Sequence, residues 1–320
     1  MTSRAQTAGT GAEGTGGFQH RGVFFSSAED LRERVLPRMR AARRDGDRVV
    51  LSVAPQTRAT LLSGLSAADA SGVEPLDPAE LYDAPGRTLA ALHARARAEH
   101  PRPVLVVGEP PLPTQDPVRL REWHRLDSAL ARALAATRLR MLCLHDARAL
   151  PEQVRLDIRR THPVLVAGGA EHDSPDYVGP AEFSAPDRTR LLPPPGGEQR
   201  SLEFGGDLAS LRTAVTELAE KAEVAPDRLS DLVLAVNELA ANAVEHGGGS
   251  GTVTLWRSPG WTRCDVTDRG PGLGDPLRGY DPADPLSPRG YGLWITRQLC
   301  DYMEIGSAGR GTRIRLHFRT

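Results

Sequence analysis

The sequence contains almost no lysine. Lys221 is the single one, and arginine carries the rest of the positive charge. GC-rich coding explains that bias more simply than an arginine-specific function does. An excess of one charge sign is also missing, since the formal net charge is -1 over 320 residues. No global basic field recruits nucleic acid, and no direct nucleic-acid partner is expected. Cysteine is scarce: Cys143, Cys264 and Cys300 are odd in number and far apart. They form neither a disulfide framework nor a CxxC metal motif, which suits a reducing cytosol. No apolar stretch approaches the roughly 20 residues of a membrane span, so no membrane partner is expected. The opening segment, TSRAQTAGTGAEGTGG, lacks the apolar core of a secretory signal. It reads as a disordered tail over residues 1–17, and a cytoplasmic location is expected. The phosphate-binding pattern G-x-x-x-x-G-K-[ST] is absent as well, which excludes a P-loop ATPase.

What is present is an ordinary globular composition, 39% apolar and 25% charged. A chain of this length exceeds what one hydrophobic core serves, so two domains are expected. The boundary falls in APDRTRLLPPPGGEQR, where three prolines and two glycines can continue neither a helix nor a central strand. The reading is a first domain at 18–186, a linker at 187–200 and a second domain at 201–320.

In the first domain RVVLSVA (48–54), PVLVVGE (103–109), RMLCLHD (140–146) and PVLVAGG (163–169) read as fully buried strands. Between them AEDLRERVLPRMRAARR and REWHRLDSALARALAAT space their apolar residues near 3.6 and read as helices. Ser26 with Glu29 fits a capping box for the first. Buried strands separated by helices predict a mostly parallel, three-layer α/β sheet. GEPPLPTQD (108–116) is a loop at a strand's C-terminal end, where such sheets place ligands.

The second domain reads as a strand SLEF (201–204), a helix over 207–222, and a helix opening at Pro226. Two strands follow, TVTLWRS and TRCDVTD, then a Gly/Pro-rich loop, a helix GLWITRQLCDYM and closing strands MEIGSA and TRIRLHF. That order predicts an α+β sandwich with helices on one face of a mixed sheet.

Four of its segments carry chemistry. In NELAANAVEH, Glu238 and Asn242 are four apart and share a helix face. An asparagine carbonyl oxygen suits Mg²⁺, and a carboxylate one turn earlier can orient or deprotonate a hydroxyl. In DRGPG (268–272), Asp268 ends a strand where it can accept from an adenine amino group, with Gly270 and Gly272 letting the backbone close in. In RGYGLWITRQL (289–299), Gly290 and Gly292 precede a helix whose free N–H groups favour phosphate. In GRGT (309–312), Thr312 places a hydroxyl between two strands. Each piece alone is also ordinary turn or surface chemistry. The ordered set is specific.

Together the four resemble the N, G1, G2 and G3 boxes of the GHKL ATPases (gyrase, Hsp90, histidine kinases, MutL), over nearly all of 200–320. The resemblance implies a Bergerat-type α/β sandwich binding ATP and Mg²⁺. It makes Glu238 the catalytic base, Asn242 the Mg²⁺ ligand and Asp268 the adenine-reading aspartate. Gly270, Gly272, Gly290 and Gly292 become hinges of the ATP lid, Leu293 belongs to the ATP-binding set, and Thr312 is the last adenine contact.

The flanks select among branches. The chain as given closes at Thr320, without the following domain that gyrase and MutL types use. The Pro-rich linker is too short for a phosphoacceptor hairpin, and no histidine lies between His172 and His246; His246 falls inside the first motif and is expected to pack there. The pattern is most similar to the RsbW and SpoIIAB type of anti-sigma serine kinases, and the whole chain to RsbA-family regulators. That resemblance implies phosphorylation of a serine or threonine on a STAS-domain anti-anti-sigma protein, sequestration of a sigma factor, a homodimer, and Arg212 at the partner surface. One departure bears on turnover: the lid LGDPLRGYDPADPLSPR has four prolines and no lysine, and Arg289 stands where Ser, Thr or Gly is common. Two alternatives stay open, a histidine kinase acting in trans and a non-catalytic, ATP-dependent sigma-binding module.

Residues 20–165 resemble the MEDS sensory domain, a RecA-like α/β module, through His20 before an apolar segment, LCLHDARALPEQV (142–154) and THPVL (161–165). His20, His145, Asp146 and His162 invite a metal reading. They lack close ligand spacing, and histidines at strand ends are usually hydrogen-bonded structure, so no metal is expected there.

Overall fold

In a computed structural model, the described residues are 17–185, 191, 198–282, 290–307 and 311–320. The expected tail and most of the expected linker lie outside them.

The first half alternates strands and helices: β1 (Gln19–Phe25), α1 (Ala28–Arg44), β2 (Arg48–Ser52), α2 (Pro55–Leu62), α3 (Ala67–Ser71), β3 (Val73–Pro75), α4 (Pro78–Leu81) and α5 (Pro85–Ala98). It continues through β4 (Val104–Gly108), α6 (Pro117–Ala133), β5 (Leu139–Asp146), α7 (Glu152–Thr161), β6 (Val164–Ala167), β7 (Ala170–Asp173) and α8 (Pro180–Ser184). The strands form one sheet in the order β3-β2-β4-β5-β1-β6-β7. Every pair is parallel except β6 with β7.

Period-2 alternation sorts the strand residues into two cores. Val49, Leu51, Leu105, Val107, Leu142 and Leu144 face α1, which buries Leu31, Val35, Leu36, Met39 and Ala42. Val50, Val104, Val106, Met141 and Cys143 face α5 and α6. Two covered faces are why these strands read as continuous apolar runs. The α1 cap is one residue later than expected: Ser27 accepts from the Asp30 amide at 3.1 Å, and Asp30 accepts from the Ser26 amide at 2.9 Å.

The second half comprises β8 (Gln199–Phe204), α9 (Leu208–Lys221), α10 (Pro226–His246), β9 (Gly251–Ser258), β10 (Trp261–Asp268), α11 (Gly292–Leu299), β11 (Tyr302–Ser307) and β12 (Thr312–Arg319). The sheet order is β11-β12-β10-β9-β8, and each pairing is antiparallel where a mixed sheet was expected. The three helices cover one face around Leu232, Val236, Leu239, Val253, Cys264, Leu316 and Phe318. The opposite face carries a polar ladder. Arg315 pairs with Asp265 at 2.8 and 2.9 Å, and His317 meets Glu304 at 2.8 Å. α11 stops four residues short of the expected Met303, because Cys300 turns to extended backbone and Tyr302 opens β11.

The halves share a core. Leu277, Tyr280 and Tyr302 of the second are buried in the cluster that holds Leu89, Trp123 and Leu130 of the first. From α6, Arg121 reaches Glu304 at 2.5 Å, and Arg119 donates to the Tyr302 hydroxyl at 3.1 Å.

Candidate functional site

The four motifs converge on α10. Pro226 starts this helix at its first turn, where its missing N–H costs nothing. Leu232, Val236, Leu239 and Ala243 face the core, which leaves Glu238 and Asn242 half-buried along its edge. Both side chains press on the start of α11. A Cβ on Gly292 would lie 3.0 Å from Glu238 Oε2 and 3.1 Å from Asn242 Nδ2. The carboxylate and carboxamide therefore stand beside the free N–H groups of a helix N-terminus, a site predisposed to anions.

Just past the end of α10, at Gly247, the second group closes in. A Cβ on Gly247 would meet Ala243 and the Asp268 Cβ at 2.8 Å, and one on Gly270 would lie 2.5 Å from Gly247 Cα. On the other flank a Cβ on Gly311 would sit 2.1 Å from the Asp268 carbonyl oxygen, and its φ is +116°. Three chain segments thus cross where only glycine fits. Asp268 is fixed at this crossing. Its Oδ1 accepts from the Gly270 amide at 2.8 Å and the Thr312 amide at 3.1 Å. Thr312 is buried, and Gly272 and Gly290 take φ of +82° and +100°.

The structure therefore brings together Glu238, Asn242 and Gly292, and separately Asp268, Gly270 and Thr312, with α10 joining the two groups. Leu293 is buried in the helix-side core just past Gly292, with Gly279 of the loop packed on it. Arg212 is exposed on α9 and donates to Asn237 at 3.0 Å. His246, expected to pack within the motif, points to solvent with its side chain 62% exposed. Arg289 and two of the lid's four prolines, Pro285 and Pro288, lie outside the described residues.

Gly247 and Gly311 went unread as site residues. The GGGSG run and the GRGT turn each have an ordinary turn reading, and only the crossing shows why the glycines are needed. Also unread was the grip of the first half on this site. Arg132 of α6 binds Asp275 at 2.8 Å and Asp281 at 2.6 Å, both in the loop after β10. Arg297 of α11 lies 3.8 Å over the Tyr280 ring of that loop. At the far end of α11, Arg87 donates to the Gln298 and Cys300 carbonyls at 3.2 and 3.3 Å and pairs with Asp301 at 2.7 Å. A cation at a helix C-terminus satisfies its last carbonyls and its dipole. Gly86 of α5 packs so closely that a Cβ would lie 1.9 Å from the Arg297 carbonyl oxygen.

Residues 205–318 match the family model of the histidine kinase-like ATPase domain, and residues 19–163 match that of the methanogen/methylotroph, DcmR sensory domain, MEDS. Among solved structures, the chain is similar to the RsbU and RsbW domains of a protein from Mycobacterium tuberculosis. Identity is 22% over 38% of this chain and 32% of that one, with a TM-score of 0.28. This chain thus spans about a third of that protein. No curated protein matches. Among the described residues, no helix is long and apolar enough to cross a membrane.

Proposed function

From a chain that joins a MEDS sensory domain to a histidine kinase-like ATPase domain, we infer a cytoplasmic regulator of the anti-sigma type, an ATP-dependent serine/threonine protein kinase. Its substrate is a STAS-domain anti-anti-sigma protein, and its second partner is a sigma factor that it sequesters. The observation that carries this reading is the convergence on α10, which sets Glu238 and Asn242 against the α11 N-terminus at Gly292.

The residues fit the implied ligands. Asn242 offers a carbonyl oxygen of the kind Mg²⁺ takes, and the α11 N–H groups suit phosphate oxygens. ATP with Mg²⁺ supplies the phosphoryl group and the charge neutralisation. The chain's own residues do the rest. Asp268, held through Oδ1, keeps Oδ2 for an adenine amino group, and Thr312 stands beside it. Glu238 accepts the proton of the attacking hydroxyl, and the close approach at Gly292 keeps it aligned. Gly270, Gly272, Gly290 and Gly292 act as lid hinges. Arg212, exposed one helix away, belongs to the partner surface, and the chain acts as a homodimer.

The MEDS domain grips both the loop after β10, through Arg132, and the end of α11, through Arg87. A ligand that shifts α5 or α6 thereby acts on the lid, provided it binds the two arrangements with different affinity.

Phosphotransfer from γ-labelled ATP with Mg²⁺ into host lysate tests this reading, with Glu238→Gln as the control. The expected result is acid-stable label on a small protein, lost in the variant. Acid-labile label would replace the reading with histidine chemistry in trans. ATP binding without any transfer would leave a nucleotide-dependent sequestering module.

A further inference from the structure

On the α6 side of the first sheet, four buried side chains from four different elements point at one another. They are His20 of β1, Asp127 of α6, Cys143 of β5 and His162 at the end of α7, exposed by 3%, 5%, 1% and 0%. One nitrogen, oxygen or sulfur atom from each lies within 4.8 Å of all the others. We propose that this cluster is a binding site for one divalent transition metal of the zinc class, with two imidazole nitrogens, a thiolate and a carboxylate as ligands.

Register and packing build the cluster. β1 and β5 run parallel with Gly22 opposite Cys143, so His20 and Cys143 rise from the same sheet face; His20 Nε2 lies 3.3 Å from Cys143 Sγ. The His162 ring occupies the space above Gly22, where a Cβ would lie 3.2 Å from its Cγ, and its centroid is 4.0 Å from that of His20. The orientation of His162 is that of a ligand. Its Nδ1 meets the Ile158 carbonyl oxygen at 2.8 Å, which makes Nδ1 the protonated nitrogen. Nε2 is left as a lone-pair acceptor, buried and without a partner. Metal-binding histidines are tied in this way, with the outer N–H on a backbone carbonyl. His20 Nδ1 is buried and unpartnered too.

Charge agrees with the geometry. Asp127 makes no ion pair among the described residues, and burial pushes its carboxyl up to about 7. Burial, and secondarily Asp127, raises the Cys143 thiol well above its ordinary value. Burial, with a smaller effect of His162 and His145, keeps the His20 imidazole neutral. Metal-free, the cluster is a set of buried polar groups with few partners in a core, which is costly. A divalent ion with one thiolate, one carboxylate and two neutral imidazoles is a charge-balanced unit, and four mixed N, S and O donors suit tetrahedral zinc rather than magnesium or calcium. The sequence conceals the set because its members are scattered from position 20 to 162. Of the residues that invited a metal reading, His20 and His162 belong to the cluster. Asp146 does not, being paired with Arg148 at 2.6 Å.

The full chain, freed of metal by chelation, is titrated with Co²⁺ and then displaced with Zn²⁺, followed by absorbance and by metal content. One cobalt per chain is expected, with a sulfur-to-cobalt charge-transfer band that Zn²⁺ abolishes. Cys143→Ala should lose the band although Cys264 and Cys300 remain. His162→Ala should weaken binding by roughly a hundredfold or more, since even outer-shell changes cost about 10–100-fold. Circular dichroism establishes whether each variant is folded. The wild-type band stands independently of both. A folded wild-type chain that takes up no metal, or that binds cobalt without sulfur charge transfer, overturns the proposal. So does a band that persists unchanged in Cys143→Ala.

Discussion

Asp268 serves two purposes with one carboxylate: Oδ1 ties Gly270 to Thr312, and Oδ2 is left for a ligand. Asp268→Asn separates them, because the amide keeps one oxygen for the two backbone N–H groups and turns the other position into a donor. The expected outcome is a fall in ATP affinity of at least about tenfold by calorimetry, the scale of a lost charge-assisted hydrogen bond, with little change in melting temperature. Unchanged affinity would remove Asp268 from the nucleotide site. Gly292→Ala makes the complementary test at the phosphate end. Its methyl would stand 3.0 Å from Glu238 Oε2, so the carboxylate must move. Phosphotransfer should drop by about 10- to 100-fold while stability changes little, since misplacement of this size is costly in catalysis and alanine favours the helix. Glu238 and Asn242 were legible in the sequence because an i, i+4 pair is a local geometry. Asp127, Cys143 and the crossing at Gly311 were not, because their partners are supplied by distant strands.

At the scale of elements, α11 is the piece both halves hold. Its start carries Gly292 against α10, and its end is capped by Arg87 from α5, with Asp301 just beyond. Burial alone would raise the Asp301 carboxyl, but the Arg319 amide, Arg87 and Arg228 outweigh it and hold it below its ordinary value of 3.8. A carboxyl lowered in the folded state contributes stability that is present above about 3.8 and lost as pH falls through the lowered value. Stability from this contact should therefore be flat from neutral pH to about 5 and decline below 4, while Asp301→Asn removes it at every pH. Thermal melts of the two proteins from pH 7 to 3 check this; curves that stay equally far apart at pH 3 would assign the acid response elsewhere. The elements legible beforehand were those with a strong local period, such as α1, α10, β2, β4 and β5. The shift of the α1 cap from Ser26 to Ser27 is a one-residue ambiguity between adjacent serines. The early end of α11 has another cause, since pairing of Tyr302 with His317 overrides a helical pattern that continues in the sequence. α5 went unread because PGRTLAALHARARA is as much arginine and alanine as apolar, and its buried face is defined partly by α11.

For the molecule as a whole, the two sheets do not behave as beads on a linker. Tyr280 and Leu277 of the ATPase half are buried in the core of the sensory half, and Arg119, Arg121 and Arg132 extend that contact along α6. Exposed ion pairs such as Arg132 with Asp281 contribute only about 0–1 kcal/mol each, so the buried aromatic and the helix-to-helix fit carry most of the docking. The fit is tightest at Gly86, where α5 meets the backbone of α11. Gly86→Ala isolates it: alanine is the best helix former, so α5 itself is not weakened. The added methyl would nevertheless lie 1.9 Å from the Arg297 carbonyl oxygen, and neither backbone can yield without separating the helices. In scanning calorimetry the native chain should unfold in one cooperative transition, because Leu277, Tyr280 and Tyr302 of the second half complete a core of the first. The variant should unfold in two, the ATPase half at the lower temperature, since it loses the Arg87 cap and the seat of Tyr280. Phosphotransfer by the variant should no longer respond to ligands of the sensory half. A single transition displaced to lower temperature would mean that the halves fold as one unit and that α5 is structural support rather than a coupling surface.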